Sequence, residues 1–209
     1  MPPVQHLTLV GRSSSHFTRV ARIFAAECDV TYELQVVRDL TSLDSSHYGG
    51  NPALKVPSLR TPDGDWYGAL PVCRELVRRA RRPLRVVWPE ALTTPLLSNT
   101  QELVLHAMTT GVSLIMNPAQ GDAAEEKRSR SLRDTLSWLE AQGTAALAVL
   151  PPERELSFLE VTLYCLVRHL EFRKVLPTAG YTKLREFCGA FDDRASVRAT
   201  PFEFDVVPT

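Results

Sequence analysis

The sequence predicts a protein in two parts, an α/β first part followed by an all-helical second part. Three observations carry that prediction. The chain opens strand, helix, strand. Beyond Pro89 the patterning changes to helical periodicity, with no further convincing strand. The chain is also large enough for either one big domain or two small ones: it has 209 residues, 44% hydrophobic and 23% charged, enough to bury a real core.

Each element has its own justification. LTLV, residues 7–10, is short, apolar and β-prone and reads as a buried strand. Phe17, Val20, Ile23 and Phe24 recur at helical spacing, with Arg19 and Arg22 expected on the outer side, so an amphipathic helix runs to about Cys28. VTYELQVV, residues 30–37, is a second strand, parallel to the first because a helix joins them. RDLTSLDSSHYGG carries too little apolar surface for a long helix. NPALKVPSL, residues 51–59, follows. SLRTPDGDWYG predicts a hairpin around Pro62-Asp63-Gly64. Pro71 suits the first turn of a helix, where its missing N–H costs nothing. The expected first part is a four-stranded mixed sheet with helices on both faces.

The second part is expected to be helical throughout from about residue 94. Residues 95–116 read as one long helix ending before Asn117-Pro118. Residues 122–142 read as another, with Leu132, Leu136 and Leu139 on one face. Ser157 and Glu160 have the capping-box spacing before VTLYCLVRHL. A last helix covers roughly Thr182 to Phe191, and the tail RATPFEFDVVPT is expected to be irregular. The domain boundaries implied are 1–80, a linker over 81–93, and 94–209.

The totals exclude several classes. Lys plus Arg equals Asp plus Glu, 24 each, so no general attraction to nucleic acid or anionic membrane is expected. The four cysteines are widely spaced and form no CxxC pair, which fits buried thiols in a reducing compartment rather than a disulfide framework or metal site. No uncharged apolar stretch reaches the length of a membrane span, and the N-terminus lacks the pattern of a signal peptide. The expected location is cytoplasmic. The run from Arg74 to Arg85 holds six arginines; it is read as a solvated helix face and linker rather than a docking patch.

Four stretches carry a resemblance. RSSSHFTRV is similar to the turn and first helix of the serine-type glutathione transferases, especially the zeta-like pattern Ser-Ser-Cys-x-x-Arg-Val, with His16 in the cysteine's place. NPALKVPSL is similar to the family's Asn-Pro-x-x-x-Val-Pro-x-Leu. LSFLEVTLYCLV resembles the opening of its buried core helix, and FDDRASVRAT its closing Arg-Pro-x-Val-x-x-Thr. In order, they span nearly the whole chain. The resemblance implies an α/β thioredoxin-like N-terminal domain plus an all-α C-terminal domain, the glutathione transferase fold. It also implies a homodimer, glutathione as co-substrate with no other cofactor, and a detoxifying transferase acting on a small hydrophobic electrophile.

Carried onto this sequence, the resemblance makes Ser14 the thiol activator, with Ser15 in reserve. The thiolate is the attacking species. A hydroxyl donor and the positive end of a helix both favour it. The competing reading is that the serines only cap the helix. Val56 matches the backbone ligand of the cysteinyl part, Pro57 the cis proline, and Lys55 could pair with the glycyl carboxylate. His106 and Met116 fall where the family lines its second-substrate cleft. Tyr164, His169, Met108 and Trp138 read as core.

The pattern fails at one place. The family's Glu/Gln-Ser pair, which holds the γ-glutamyl end, is replaced by Ala69 and Leu70. Two charge-assisted contacts of about 1.5–3 kcal/mol each would be missing, roughly a hundred-fold or more in affinity. Two functions therefore stand side by side. One is an enzyme conjugating or isomerising a small electrophile. The other is a non-catalytic dimerisation or binding module with weakened glutathione binding.

Overall fold

The structure is a computed structural model and describes residues 6–116 and 123–205. The described residues within Met1–Leu84 and Arg194–Thr209 form one compact unit, and those within Arg85–Asp193 form another. The tail from Arg194, grouped with the helical part in the sequence reading, thus lies with the first unit.

In the first unit, β1 (Thr8–Gly11), β2 (Glu33–Val36), β3 (Ser58–Thr61) and β4 (Gly64–Tyr67) form a sheet in the order β2-β1-β3-β4. β1 and β2 are parallel, and β1–β3 and β3–β4 are antiparallel. This is the expected mixed sheet, with β2 shorter than 30–37. Helices α1 (His16–Glu27) and α2 (Ala69–Arg78) pack against each other.

Helices on both faces were expected. Val10, Val37 and Tyr48 form a separate core with Leu40, Leu54 and Val56, and no residue of α1 or α2 belongs to it. Residues 38–57 cover that face with a loop and one 3-10 turn, Ser45–Tyr48. The polar composition of that stretch cannot support an α-helix, so a single aromatic plug, Tyr48, fills the place of one. Ser58 Oγ donates to the Tyr48 carbonyl at 2.8 Å and ties plug to sheet.

Two glycines are required by geometry. A Cβ at Gly11 would lie 2.5 Å from the Thr18 side chain, so only glycine lets β1 end this close to α1. Gly68 has φ 84° and precedes α2, a conformation that side chains rarely adopt.

Arg19 departs from the expected outer face of α1. Its side chain is buried, its guanidinium lies 4.3 Å from the Phe202 ring centroid, and Nη2 donates to the Val197 carbonyl at 3.4 Å. Arg22 Nη1 donates to the Pro201 carbonyl at 3.1 Å. The tail covers this side of the helix, and α7 (Ala195–Arg198) packs on α1.

The second unit contains α3 (Pro95–Met116), α4 (Ala123–Ala148), α5 (Phe158–Arg173) and α6 (Thr182–Asp192). Thr94 starts α3: its hydroxyl accepts from Leu97 N–H at 3.3 Å, with Pro95 at the first helical position. The expected end before Asn117-Pro118 and the start at residue 122 lie outside the described residues. α4 runs six residues past the expected 142. The core of this unit is α5, whose apolar residues Phe158, Leu159, Val161, Leu163, Tyr164 and Leu166 are all inside.

Two expectations for this unit are corrected. It is not helical throughout, because β6 (Leu156–Ser157) pairs in parallel with β5 (Val86–Val87), apart from the larger sheet. Nor does Ser157 form the capping box: it precedes α5 in extended geometry, but its hydroxyl caps nothing. The Glu160 carboxylate instead accepts from Arg154 Nε and Nη2 at 2.9 and 2.6 Å. A charged partner competes better for that carboxylate than a backbone N–H does.

Candidate functional site

The register of the sheet gathers the candidate residues of the first unit at one end. Val10 of β1 pairs with Ser58 of β3, which pairs with Tyr67 of β4. The turn after β1, the residues before β3 and the start of α2 after β4 must therefore emerge together. They hold Ser14–Ser15, Lys55–Pro57 and Ala69–Leu70 in turn. Gly68 N–H donates to the Pro57 carbonyl at 2.9 Å and joins the last two.

The turn 12–15 settles which serine caps the helix. Ser15 is the N-cap of α1, and its hydroxyl accepts from Thr18 N–H at 3.3 Å. Ser15 N–H donates to the Arg12 carbonyl at 3.1 Å, and Arg12 N–H donates to Thr18 Oγ1 at 3.4 Å. Ser13 N–H donates to both carboxylate oxygens of Asp205, at 3.2 and 3.1 Å. Ser14 is left over: among the described residues neither its N–H nor its hydroxyl makes a hydrogen bond. The capping role considered for Ser14 belongs to its neighbour.

The Val56–Pro57 bond is cis, as expected. Asn51 braces the segment, with Nδ2 donating to the Lys55 carbonyl at 2.8 Å and Oδ1 accepting from Ala53 N–H at 3.0 Å. Among the described residues the N–H and C=O of Val56 have no hydrogen-bond partner. Val56 lies in the bend just before β3 and outside the sheet ladder, so both groups are available for hydrogen bonding. The Lys55 residue is exposed. Ala69 is buried and Leu70 half-buried at the first turn of α2, which carries no side-chain cap. The α2 N-terminus keeps its partial positive charge, but no polar side chain stands at either position.

No family model matches the sequence, and no curated protein does either. Solved structures do match. A glutathione S-transferase from Methylobacillus flagellatus KT with glutathione bound is similar at a TM-score of 0.72 and 21% identity, covering 93% of this chain and 98% of its own. The chain has the glutathione transferase fold. A glutathione transferase family member from Pseudomonas fluorescens Pf-5, also with bound glutathione, gives a TM-score of 0.71 at 19% identity, covering 94% and 99%. A third, from Methylobacterium radiotolerans JCM 2831 in complex with glutathione sulfonate, gives 0.70 at 16% identity, covering 98% and 99%.

On this glutathione transferase fold, His106 and Met116 both lie on α3 and both are exposed. His106 Nε2 is 3.0 Å from Ser131 Oγ of α4 and 3.4 Å from Thr110 Oγ1. Tyr164, His169 and Met108 are core, and Trp138 is half-buried. The arginine run is partnered within its own units. Arg78 and Arg79 bind Glu75 and Asp63, Arg81 reaches Asp29 at 3.2 Å, and Arg85 Nε donates to the Glu153 carbonyl at 2.7 Å. All four cysteines are buried free thiols. Burial pushes the Cys28 and Cys188 thiols up to about 12, so neither is a thiolate near neutrality. Among the described residues no acidic, His or Cys cluster could hold a metal ion, and no helix is long and apolar enough to cross a membrane.

The sequence reading missed Asn51 and Asp205 as site residues. Asn51 was visible as the first letter of NPALKVPSL, where a side chain can brace the loop that follows it. Asp205 had no local signal.

Proposed function

We propose that the protein is a glutathione transferase-like enzyme that binds glutathione weakly and adds its thiol to a small hydrophobic electrophile. Ser14 donates to the sulfur and stabilises the thiolate, with the α1 N-terminus adding its dipole. Val56 pairs with the cysteinyl backbone beside Pro57, and Lys55 meets the glycyl carboxylate. The resemblance assigns His106 and Met116 of α3 to the electrophile. The thiolate forms the carbon–sulfur bond directly, either expelling a leaving group such as chloride or adding to a double bond that then takes up a proton, and no covalent enzyme intermediate forms. An isomerase variant, in which the thiol adds to a double bond and leaves again, uses the same groups. The working unit is a cytoplasmic homodimer, and no cofactor besides the glutathione co-substrate is needed.

The observation that carries this reading is the pairing of two unsatisfied positions at one sheet end, the Val56 backbone and Ser14. Their chain neighbours Ser13, Ser15, Lys55 and Pro57 each make a backbone hydrogen bond. Similar proteins with glutathione bound support it. Titration calorimetry with glutathione, together with conjugation of 1-chloro-2,4-dinitrobenzene, tests it. Weak saturable binding with slow turnover is the expected result.

A second reading keeps a specific observation in its favour. Ala69 and Leu70 cannot bond a γ-glutamyl group through their side chains. A non-catalytic dimerisation or binding module would carry that loss. Absence of any glutathione heat in the calorimeter would select it.

A further inference from the structure

The last described residues of the tail do more than lie on α1. Pro201 accepts from Arg22, and Phe202 lies against Arg19. Asp205 then reaches the turn before α1, 192 residues away in sequence, where both its oxygens accept from Ser13 N–H. Arg12 Nε stands 3.7 Å from the same carboxylate, whose side chain is only 11% exposed. The approach is anchored by three arginines of one helix and its entry turn.

We infer that Asp205 is a positioning residue that holds Ser14 in place for thiol activation. The inference rests on the proposed role of Ser14. The turn has few supports. Arg12 and Ser15 are fastened by contacts within the turn and the first turn of α1, at Thr18 Oγ1 and the Arg12 carbonyl. Among the described residues Ser13 is fastened only by the tail carboxylate. Ser13 is also the residue whose carbonyl carries the Ser14 N–H. Freeing the Ser13 N–H lets the Arg12–Ser13 peptide plane rotate, and the following residue, Ser14, moves with it. A donor that must meet a sulfur within hydrogen-bond distance loses effect when its backbone wanders by about 1 Å. Asp205 touches neither substrate; it acts through the turn.

The test uses the full-length protein with glutathione and 1-chloro-2,4-dinitrobenzene, comparing Asp205→Ala, Asp205→Asn, Ser14→Ala and the double variant Ser14→Ala/Asp205→Ala. Asp205→Ala should lower kcat by about ten-fold while KM for glutathione stays within about two-fold, because a displaced Ser14 hydroxyl weakens the transition state more than the ground state. Asp205→Asn should keep most of the rate, since its amide oxygen still accepts from Ser13 N–H. The double variant should be no slower than Ser14→Ala alone, because both changes remove one effect. Hydrogen exchange should rise at the Ser13 amide in Asp205→Ala without rising in the middle of α1, a readout independent of activity. If Ser14→Ala is slow but Asp205→Ala keeps the parent kcat, the Asp205 assignment is overturned and Ser14 stands. Losses that multiply in the double variant, an Asn variant as slow as the Ala variant, or unchanged exchange at Ser13 also overturn it. If Ser14→Ala matches the parent, or the parent has no activity, both readings fall together.

Discussion

The Glu75 carboxylate accepts two hydrogen bonds from Arg78, Nε to Oε2 and Nη2 to Oε1, at 2.7 Å each. Arg79 binds the same carboxylate, which is 1% exposed, and also Asp63 in the β3–β4 turn. The last turn of α2 is thereby fastened to the hairpin, at the opposite end of the helix from Ala69.

Glu75→Ala should therefore destabilise the protein by about 3 kcal/mol, the low end for breaking a buried pair. The low end applies because Arg78 is largely exposed and Arg79 keeps Asp63. Burial works to raise the Glu75 carboxyl, and the two arginines outweigh it, so its folded value lies below the usual range. A depressed carboxylate stabilises the fold above its unfolded value of about 4.3. That contribution is lost as pH falls through the lower, folded value. Urea midpoints from pH 6 downward should fall more steeply below about pH 4.3 in the parent than in Glu75→Gln.

Ser14 and Ser15 should separate cleanly. Ser14→Ala should lower turnover by about ten-fold or more, with each 1.36 kcal/mol of lost transition-state stabilisation worth ten-fold. Its urea midpoint should barely move. Ser15→Ala should do the reverse and cost about 1 kcal/mol of stability, the usual effect of losing a Ser cap. Equal behaviour of the two variants in both assays would refute the division of labour.

Ala69→Glu with Leu70→Ser should tighten glutathione binding without raising kcat. The restored contacts act equally in ground and transition states. Calorimetry beside steady-state kinetics decides this. No detectable glutathione binding by the double variant would give the first unit to another ligand or to none.

Ser157→Ala should be neutral or stabilising by up to about 1 kcal/mol. The hydroxyl is fully buried with no partner among the described residues, and removing such a group relieves a desolvation cost. A loss of stability measured by denaturation would mean that the hydroxyl has a partner after all.

None of the four cysteines should react with a thiol reagent in the native protein. All are buried, and in Cys28 and Cys188 burial holds the proton to about 12. Reaction should appear only with unfolding, followed as absorbance against denaturant. A fast stoichiometric phase at neutral pH would contradict the assignment.

Local sequence determined most of the fold. Apolar periodicity placed α1, α3 and α5. A turn signal placed the β3–β4 hairpin, and Asn51 to Pro57 announced the segment beside the cis bond. These features depend on residues within a few positions of one another, so a linear reading reaches them. The candidate site was legible to the same extent: Ser14, Val56 and Ala69–Leu70 could be named because each sits in a short recognisable stretch. Which serine caps α1 was open in sequence, because Ser14 and Ser15 are equally good cap residues. Only backbone geometry chose Ser15. The pairing of Glu160 with Arg154 rather than with Ser157 was likewise a competition that three-dimensional proximity decided. Arg19 faces inward because a tail from the far end of the chain covers it. Glu140 of α4 accepts from the first N–H groups of α6, Lys183 and Leu184, at 2.9 and 3.0 Å. Asp205 reaches Ser13 in the same way. Contacts between groups so distant in sequence leave no periodic or local trace. They exist only once the rest of the fold has brought a charged side chain to a backbone N–H that local structure leaves unpaired.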